Sequence, residues 1–226
     1  MKDVIFIPAR AGSVGVKGKN KKLLNGIPLI DYTVDFAKRL TELCDIVVST
    51  DDSEIFKMYK DDAEIICNDM RPDYLSGSEV QTKEVIAYEL KKLDRAYKNL
   101  WLFQPTCPFR EIKTFFKCSR FLEKNYTSVV TVRDVGGEHP MRMKRLIDER
   151  LINYVDTGEE NMEPRQSLPP VFLRSGGIYG IAIDVFKKHG ELVSDNCAGV
   201  VVMDREIINI DTPLDFQLAE ILASGK

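Results

Sequence analysis

The 226-residue sequence predicts an α/β fold built on a doubly wound, mostly parallel sheet, and three features predict it. Its apolar runs are short and almost wholly hydrophobic, as strands buried on both faces require. They alternate with amphipathic stretches of roughly 12 residues, the rhythm of helices packed over a parallel sheet. The chain is 44% apolar and 30% charged, an ordinary globular composition of a length that suits one well-buried core.

In chain order, "VIFI" (4–7) is the first expected strand, followed by a helix over 30–43 and the strand "DIVVST" (45–50). A helix over 53–59, the strand "AEIIC" (63–67), a helix over 80–93 and the strand "NLWLFQ" (99–104) continue the rhythm. A helix over 112–124 then leads to "TSVVTV" (127–132). From Asp134 to Pro170 the sequence turns charged and turn-rich, which predicts a hairpin arm leaving the sheet. The α/β pattern resumes with "GGIYGIAI" (176–183), "GVVVM" (199–203) and "EIINI" (206–210), and Pro213 suits the first turn of a closing helix. The expected organisation is a single domain over 1–226 carrying an arm insertion at about 134–170, with no internal repeat.

A net charge of −3 gives no overall basic balance to recruit nucleic acid, so any anion site must be local. The five cysteines (Cys44, Cys67, Cys107, Cys118, Cys197) are odd in number and lack CxxC spacing. With no signal peptide and no apolar run of about 18 residues, the expectation is a cytoplasmic protein with reduced thiols and no membrane contact. His139 and His189 lie far from each other and from any cysteine pair, which argues against a Cys/His metal site.

Ligands of open parallel sheets bind beyond the carboxyl ends of the strands, which directs attention to 8–20, 49–52, 68–78, 104–110 and 209–215. The first of these, within "IPARAGSVGVKGKN" (7–20), holds Gly12, Gly15 and Gly18, whose missing Cβ atoms let backbone N–H groups converge on an anion. Arg10, Lys17 and Lys19 add positive charge, so a phosphate-bearing ligand fits; the plainer reading is a solvated surface loop. The spacing matches neither GxxxxGK[ST] nor GxGxxG, which excludes kinase-type and hydride-transfer readings.

Eight segments, "IPARAGSVGVKGKN", "VSTDD", "RPDYLS", "QPTCPFR", "HPMRMK", "PRQSLPPVF", "GGIYG" and "NIDTPLDF", occur in the order and spacing of the CMP-sialic acid synthetases, the acylneuraminate cytidylyltransferases. The chain resembles that family over nearly its whole length. The resemblance implies a Rossmann-like nucleotidyltransferase core with a small dimerisation arm, hence a homodimer. It also implies the use of CTP and Mg²⁺ to attach CMP to the anomeric oxygen of a nine-carbon keto acid sugar, with release of pyrophosphate.

Attack on an α-phosphorus builds charge on phosphate oxygens, so positioning and cations carry such chemistry. By resemblance, Arg10, Ser13 and Lys19 lie along the triphosphate within the loop of Gly12, Asn20 reaches the nucleotide, Pro8 and Ala9 hold the cytosine edge, and Arg71 supports the nucleotide. Arg10, Lys19 and Asp211 would carry catalysis. Gln104, Arg142, Arg165, Gln166 and Tyr179 would meet the sugar acid, with Arg142 approaching from a partner subunit. Taken singly, Arg71 also reads as a surface arginine, Gln104 as a strand end and Tyr179 as a core aromatic. Asp211 with Asn209 would hold Mg²⁺, although Asp211 also suits a turn and Asp215 a helix N-terminus. His139 reads mainly as a hinge before Pro140.

Two departures fall at the chemistry: Val14 stands where the family commonly has lysine and Asn209 where it commonly has aspartate. Lys17 could replace the missing loop cation. Leu173, Leu192 and Val193 replace an arginine and aromatic residues, which suggests a pocket shaped for a relative of N-acetylneuraminate such as legionaminic or pseudaminic acid. Activation of the eight-carbon acid Kdo and a non-catalytic nucleotide-sugar binding protein are the competing readings.

Overall fold

The computed structural model of the chain describes residues 1–12, 15–155 and 164–225. Strand β1 (Asp3–Pro8) shows why the sheet is covered twice. Ile5 and Ile7 enter one apolar cluster while Val4 and Phe6 enter another, because successive side chains point to opposite faces. Full burial of each such side chain contributes roughly 1.5–3 kcal/mol, so β1 is the natural centre of the sheet.

The remaining elements follow the expected order. They are the small strands β2 (Leu23–Leu24) and β3 (Ile27–Pro28), helix α1 (Leu29–Lys38), β4 (Cys44–Ser49), α2 (Ser53–Tyr59), β5 (Ile65–Ile66) and α3 (Thr82–Leu90). After them come β6 (Asn99–Leu102), α4 (Ile112–Glu123), β7 (Ser128–Asp134), β8 (Lys144–Ile147), β9 (Arg150–Asn153), β10 (Phe172–Ala182), α5 (Ile183–His189), β11 (Cys197–Val201) and α6 (Pro213–Ala223). Seven strands form the main sheet in the order β11-β7-β10-β6-β1-β4-β5. Strand β10 runs antiparallel to β6 and β7 and every other pairing is parallel. Helices α1 and α4 cover one face through residues such as Phe36 and Phe115, and α3 and α5 cover the other through Ile86 and Phe186.

Three local features differ from the sequence expectation. "EIINI" is not a strand: Asp204–Ile207 forms a 3-10 turn, and Glu206 is drawn inward to accept from the Glu111 N–H and the Thr114 hydroxyl. The Ile210 N–H is then taken by the Thr106 carbonyl rather than by a neighbouring strand. Helix α5 was not foreseen, and neither was the β2–β3 hairpin, whose Asn25 and Gly26 both have positive φ and form the tight turn that an Asn-Gly pair favours.

The arm is present as an excursion from the sheet. Among the described residues strands β8 and β9 form a two-stranded ribbon of their own, turning through Asp148 and Glu149 at positive φ, and Leu146 and Leu151 are each 71% exposed. Its two roots are joined by His139, whose Nε2 meets the Pro169 carbonyl at 3.0 Å while Nδ1 accepts from the Met141 N–H.

Asp52 generates a stability prediction. It caps α2 by accepting from the Glu54 and Ile55 N–H groups and pairs with the Lys21 ammonium at 2.9 Å. Burial pushes its carboxyl up, but Lys21 and the two N–H groups outweigh that and hold it below the usual carboxylate range. Asp52→Ala is expected to cost about 1–2 kcal/mol in urea unfolding at neutral pH. Because the folded-state value is depressed, the contribution is complete above the ordinary value of about 4 and fades as pH falls through the folded one. The gap between wild type and variant should therefore narrow in acid.

Candidate active site

Strand β1 is the point where the winding reverses. The chain first builds outward through β4 and β5, then crosses back to place β6 on the other side of β1. Loops after β1, β4 and β6 consequently meet above the carboxyl ends of the strands, the usual ligand crevice of such sheets. A cavity of about 550 Å³ opens there, lined by Pro8, Arg10, Gly15, Lys19, Asn20, Arg71, Gln104, Thr106 and Asp211 together with a wall of residues 75–85.

Lys19 organises this cavity. Its ammonium is buried and donates to the Ile210 carbonyl at 2.6 Å and to Asp211 Oδ1 at 3.2 Å, which leaves one N–H for a ligand. Gly15 makes the approach possible, since a Cβ there would lie 2.0 Å from the Asp211 carbonyl oxygen. Asn20 ties the loop to itself by donating to the Arg10 carbonyl, and Asp51 accepts from the Ala11 N–H.

Arg71 is buried with Nε on the Ser49 hydroxyl and Nη2 on the Ser49 carbonyl, so its guanidinium is rigidly placed and still has donors to spare. Desolvation lowers its pKa, yet it stays charged at neutral pH. Arg10, Lys19 and Arg71 against the single carboxylate of Asp211 make the cavity net cationic in a chain of net charge −3.

Beside it lies a second cavity of about 230 Å³, which shares Gln104 and Thr82 and is also lined by Tyr179, Arg174, Leu102, Leu192 and Val193. The loop carrying Gln104 is fixed by Arg110, which donates to the Gln104 carbonyl (2.6 Å), the Gly177 carbonyl (2.7 Å) and the Thr33 hydroxyl (2.9 Å). All three acceptors are neutral, and burial pushes this guanidinium's pKa down to about 10, still charged at neutral pH. Burial likewise raises the Tyr179 phenol, leaving it a neutral donor.

Several residues singled out by sequence sit elsewhere. Ala9 is fully buried behind the cavity wall, with its N–H donated to the Ser49 carbonyl and its own carbonyl accepting from Thr50. Gly12 and Lys17 are exposed and do not line the cavity; Ser13 and Val14 fall outside the described residues. Arg165 and Gln166 line a separate cavity of about 560 Å³ at the arm root, and Arg142 is exposed on the 3-10 turn Pro140–Arg142. Within one chain these three do not join Gln104 and Tyr179. Sequence reasoning did not single out Arg110 or Arg174. Arg110 closes the stretch "QPTCPFR", but nothing in the letters marks it as buried.

The donor set suits a metal ion held mainly by substrate. Asp211 turns a half-open carboxylate, 64% exposed, toward the cavity. Asn209 gives Asp211 Oδ2 its amide N–H at 2.7 Å and turns its own oxygen to the Cys107 thiol. Asp215 is committed to the capping box of α6. No group of three or more acidic, His or Cys side chains able to hold a metal exists among the described residues. One carboxylate with phosphates and waters completing the shell is how Mg²⁺ is commonly bound, so the residues fit that ion and not an all-protein cage.

Gly15→Ala tests the contact between loop and turn. The added methyl cannot coexist with the Asp211 carbonyl, so the loop must move, and nucleotide affinity should fall at least about tenfold by calorimetry, equivalent to roughly 1.4 kcal/mol. The thermal unfolding temperature should fall as well, because the same approach seats the buried Lys19 ammonium on Ile210 and Asp211 and packs Val16 beside Ile210.

The chain has informative relatives. It is 27% identical over 231 residues to the CMP-N,N'-diacetyllegionaminic acid synthase of Legionella pneumophila, covering 98% of this chain and 96% of that protein. It is 31% identical over 232 residues to the N-acylneuraminate cytidylyltransferase of Escherichia coli, covering all of this chain but 53% of that longer protein. Among solved structures, CMP:2-keto-3-deoxy-manno-octonic acid synthetase complexed with CTP superposes with a TM-score of 0.71 at 15% identity, over 100% of this chain and 99% of that one, which shows a shared nucleotidyltransferase fold. The cytidylyltransferase family model matches residues 4–171, from β1 through both cavities' first walls to the return from the arm. The chain belongs to the cytidylyltransferase family.

Proposed function

We propose that the protein transfers CMP from CTP to the anomeric hydroxyl of a nonulosonic acid of the sialic type. The observation that carries this reading is a pair of adjacent cavities that share Gln104 and Thr82: a net-cationic one sized for a nucleotide and a smaller one with polar and apolar walls. The anomeric oxygen attacks the α-phosphorus, the bond from that phosphorus to the bridging oxygen breaks, and pyrophosphate leaves with the bond electrons while the hydroxyl proton is released.

In this reading Arg10 and Lys19 neutralise the triphosphate beside Gly15, and Asn20, Arg71 and Pro8 hold the nucleotide. Gln104 and Tyr179 orient the sugar. Asp211 would hold Mg²⁺, with Asn209 beside it; the ion, when bound, neutralises phosphate charge and polarises the reacting phosphoryl group. Fixed cations of this kind act by preorganisation, since they need not reorient as charge moves to the leaving group.

The same proposal includes a cytoplasmic homodimer. A two-stranded ribbon is marginal alone in water, and this one exposes the cross-strand pair Leu146 and Leu151 on one face, with Ile147 and Ile152 on the other, apolar groups suited to cover by a second copy. Such a copy is the route by which Arg142, Arg165 and Gln166 could reach a sugar acid. No helix among the described residues is long and apolar enough to cross a membrane.

The decisive assay is pyrophosphate release with CTP, Mg²⁺ and a panel of N-acetylneuraminate, legionaminate, pseudaminate and Kdo. A nonulosonic acid should be turned over in preference to Kdo, EDTA should stop the reaction, and Lys19→Ala or Asp211→Ala should lower kcat at least about 100-fold. Absence of turnover with every acid, alongside intact CTP binding, would sink the proposal. Activity gained only by Val14→Lys with Asn209→Asp would instead establish a binding protein that has lost the chemistry. By light scattering, Leu146→Lys with Leu151→Lys should convert a dimer to a monomer.

A further inference from the structure

We infer that Arg174 is the residue of this chain that grips the carboxylate of the sugar acid, an inference that rests on the functional reading above. Arg174 lines the smaller cavity with Gln104 and Tyr179. Its side chain forms no hydrogen bond or ion pair among the described residues, whereas the other cation of that cavity, Lys83, is engaged by Glu191.

Strand geometry explains its placement. Arg174 and Tyr179 are five positions apart, and in a regular strand an odd spacing sends two side chains to opposite faces. On β10 the register breaks between them: Arg174 pairs with Val132 and Tyr179 with Val130, two positions apart on β7 and therefore on one face. Paired residues of an antiparallel ladder share a face, so the irregularity brings Arg174 round to the side of Tyr179. Gly176 at φ +83 makes the excursion, and Thr131 pins it by accepting from the Ser175 hydroxyl at 2.8 Å and from the Ile178 N–H at 2.9 Å.

The ligand chemistry follows from charge. Arg174 is exposed at the rim of the cavity beside Leu102, Leu192 and Val193, so its guanidinium is free to exchange water for a ligand carboxylate, and a charge-assisted bidentate pair favours an anion there over a neutral polyol. The carboxylate is the one permanent anion of a sugar acid, and its two oxygens match the planar fork of arginine. Arg165 cannot serve in its place within the chain, since it lines the cavity at the arm root.

The test compares N-acetylneuraminate with its neutral methyl ester by calorimetry, in the presence of CTP and without Mg²⁺, for the wild type, Arg174→Lys and Arg174→Gln. The wild type should prefer the acid about 100-fold, the lysine variant should keep part of that preference and the glutamine variant should lose it, with CTP affinity within twofold throughout. Preference surviving in Arg174→Gln, CTP affinity falling in parallel, or no binding of the acid by the wild type would each overturn the inference. The two readings fail separately: turnover with an Arg174-independent preference overturns only the role of Arg174, and an Arg174-dependent preference without turnover overturns only the catalytic proposal.

Discussion

The burial of one ammonium group shapes the whole crevice. Lys19 is taken almost completely out of water, a cost of several kcal/mol unless partners replace the lost hydration. Its partners come from the far end of the chain, the Ile210 carbonyl and the Asp211 carboxylate. Ile210 in turn donates its N–H to the Thr106 carbonyl, so the loops after β1 and β6 and the turn before α6 form one hydrogen-bonded unit. Gly15 is a condition of that unit, because only a residue without a Cβ lets the loop lie against the Asp211 backbone. The order of strands creates the crevice, but this buried cation decides which residues face into it.

A second buried cation repeats the device beneath the neighbouring cavity. Arg110 joins α1, the Gln104 loop and the β10 irregularity through three neutral acceptors, with Glu206 acting on it only through space. In a low-dielectric interior such a charge is felt at longer range than one at the surface. Together with Arg10, Lys19 and Arg71 it biases one end of the sheet toward anions while the chain as a whole remains slightly acidic. Attraction of a polyanion is thus a local property of the strand ends.

What could be read from the letters follows from how local each determinant is. The alternation in β1, the apolar runs of β4, β6 and β7 and the bounds of α2 are set by neighbouring residues, and they were legible. "EIINI" carries strand-like residues but surrenders its backbone partners to the loop after β6, a tertiary competition invisible in the segment itself. Arg174 was hidden for a related reason, since counting by twos assigns it to the wrong face unless the irregularity in β10 is known. Motif order picked out Lys19, Asp211, Gln104 and Tyr179, which line the two cavities, whereas Ala9 shows the limit of that route: its place in the motif is matched, but its backbone is spent on Ser49 and Thr50.

Asn209 shows how a departure from the family pattern can be accommodated. A second carboxylate at that position would stand beside Asp211 and repel it, and the pair would depend on a cation for compensation. The amide instead donates to Asp211 Oδ2 while Lys19 holds Oδ1, so both oxygens of the single carboxylate are oriented by the protein itself. The arrangement trades strength of metal attraction for preorganisation. In the proposed reaction, a carboxylate already fixed between an ammonium and an amide would bind a divalent ion more weakly than a pair of acids, yet would lose less conformational freedom on binding it. Charge removed at Asn209 therefore need not remove the geometry on which phosphoryl chemistry chiefly depends.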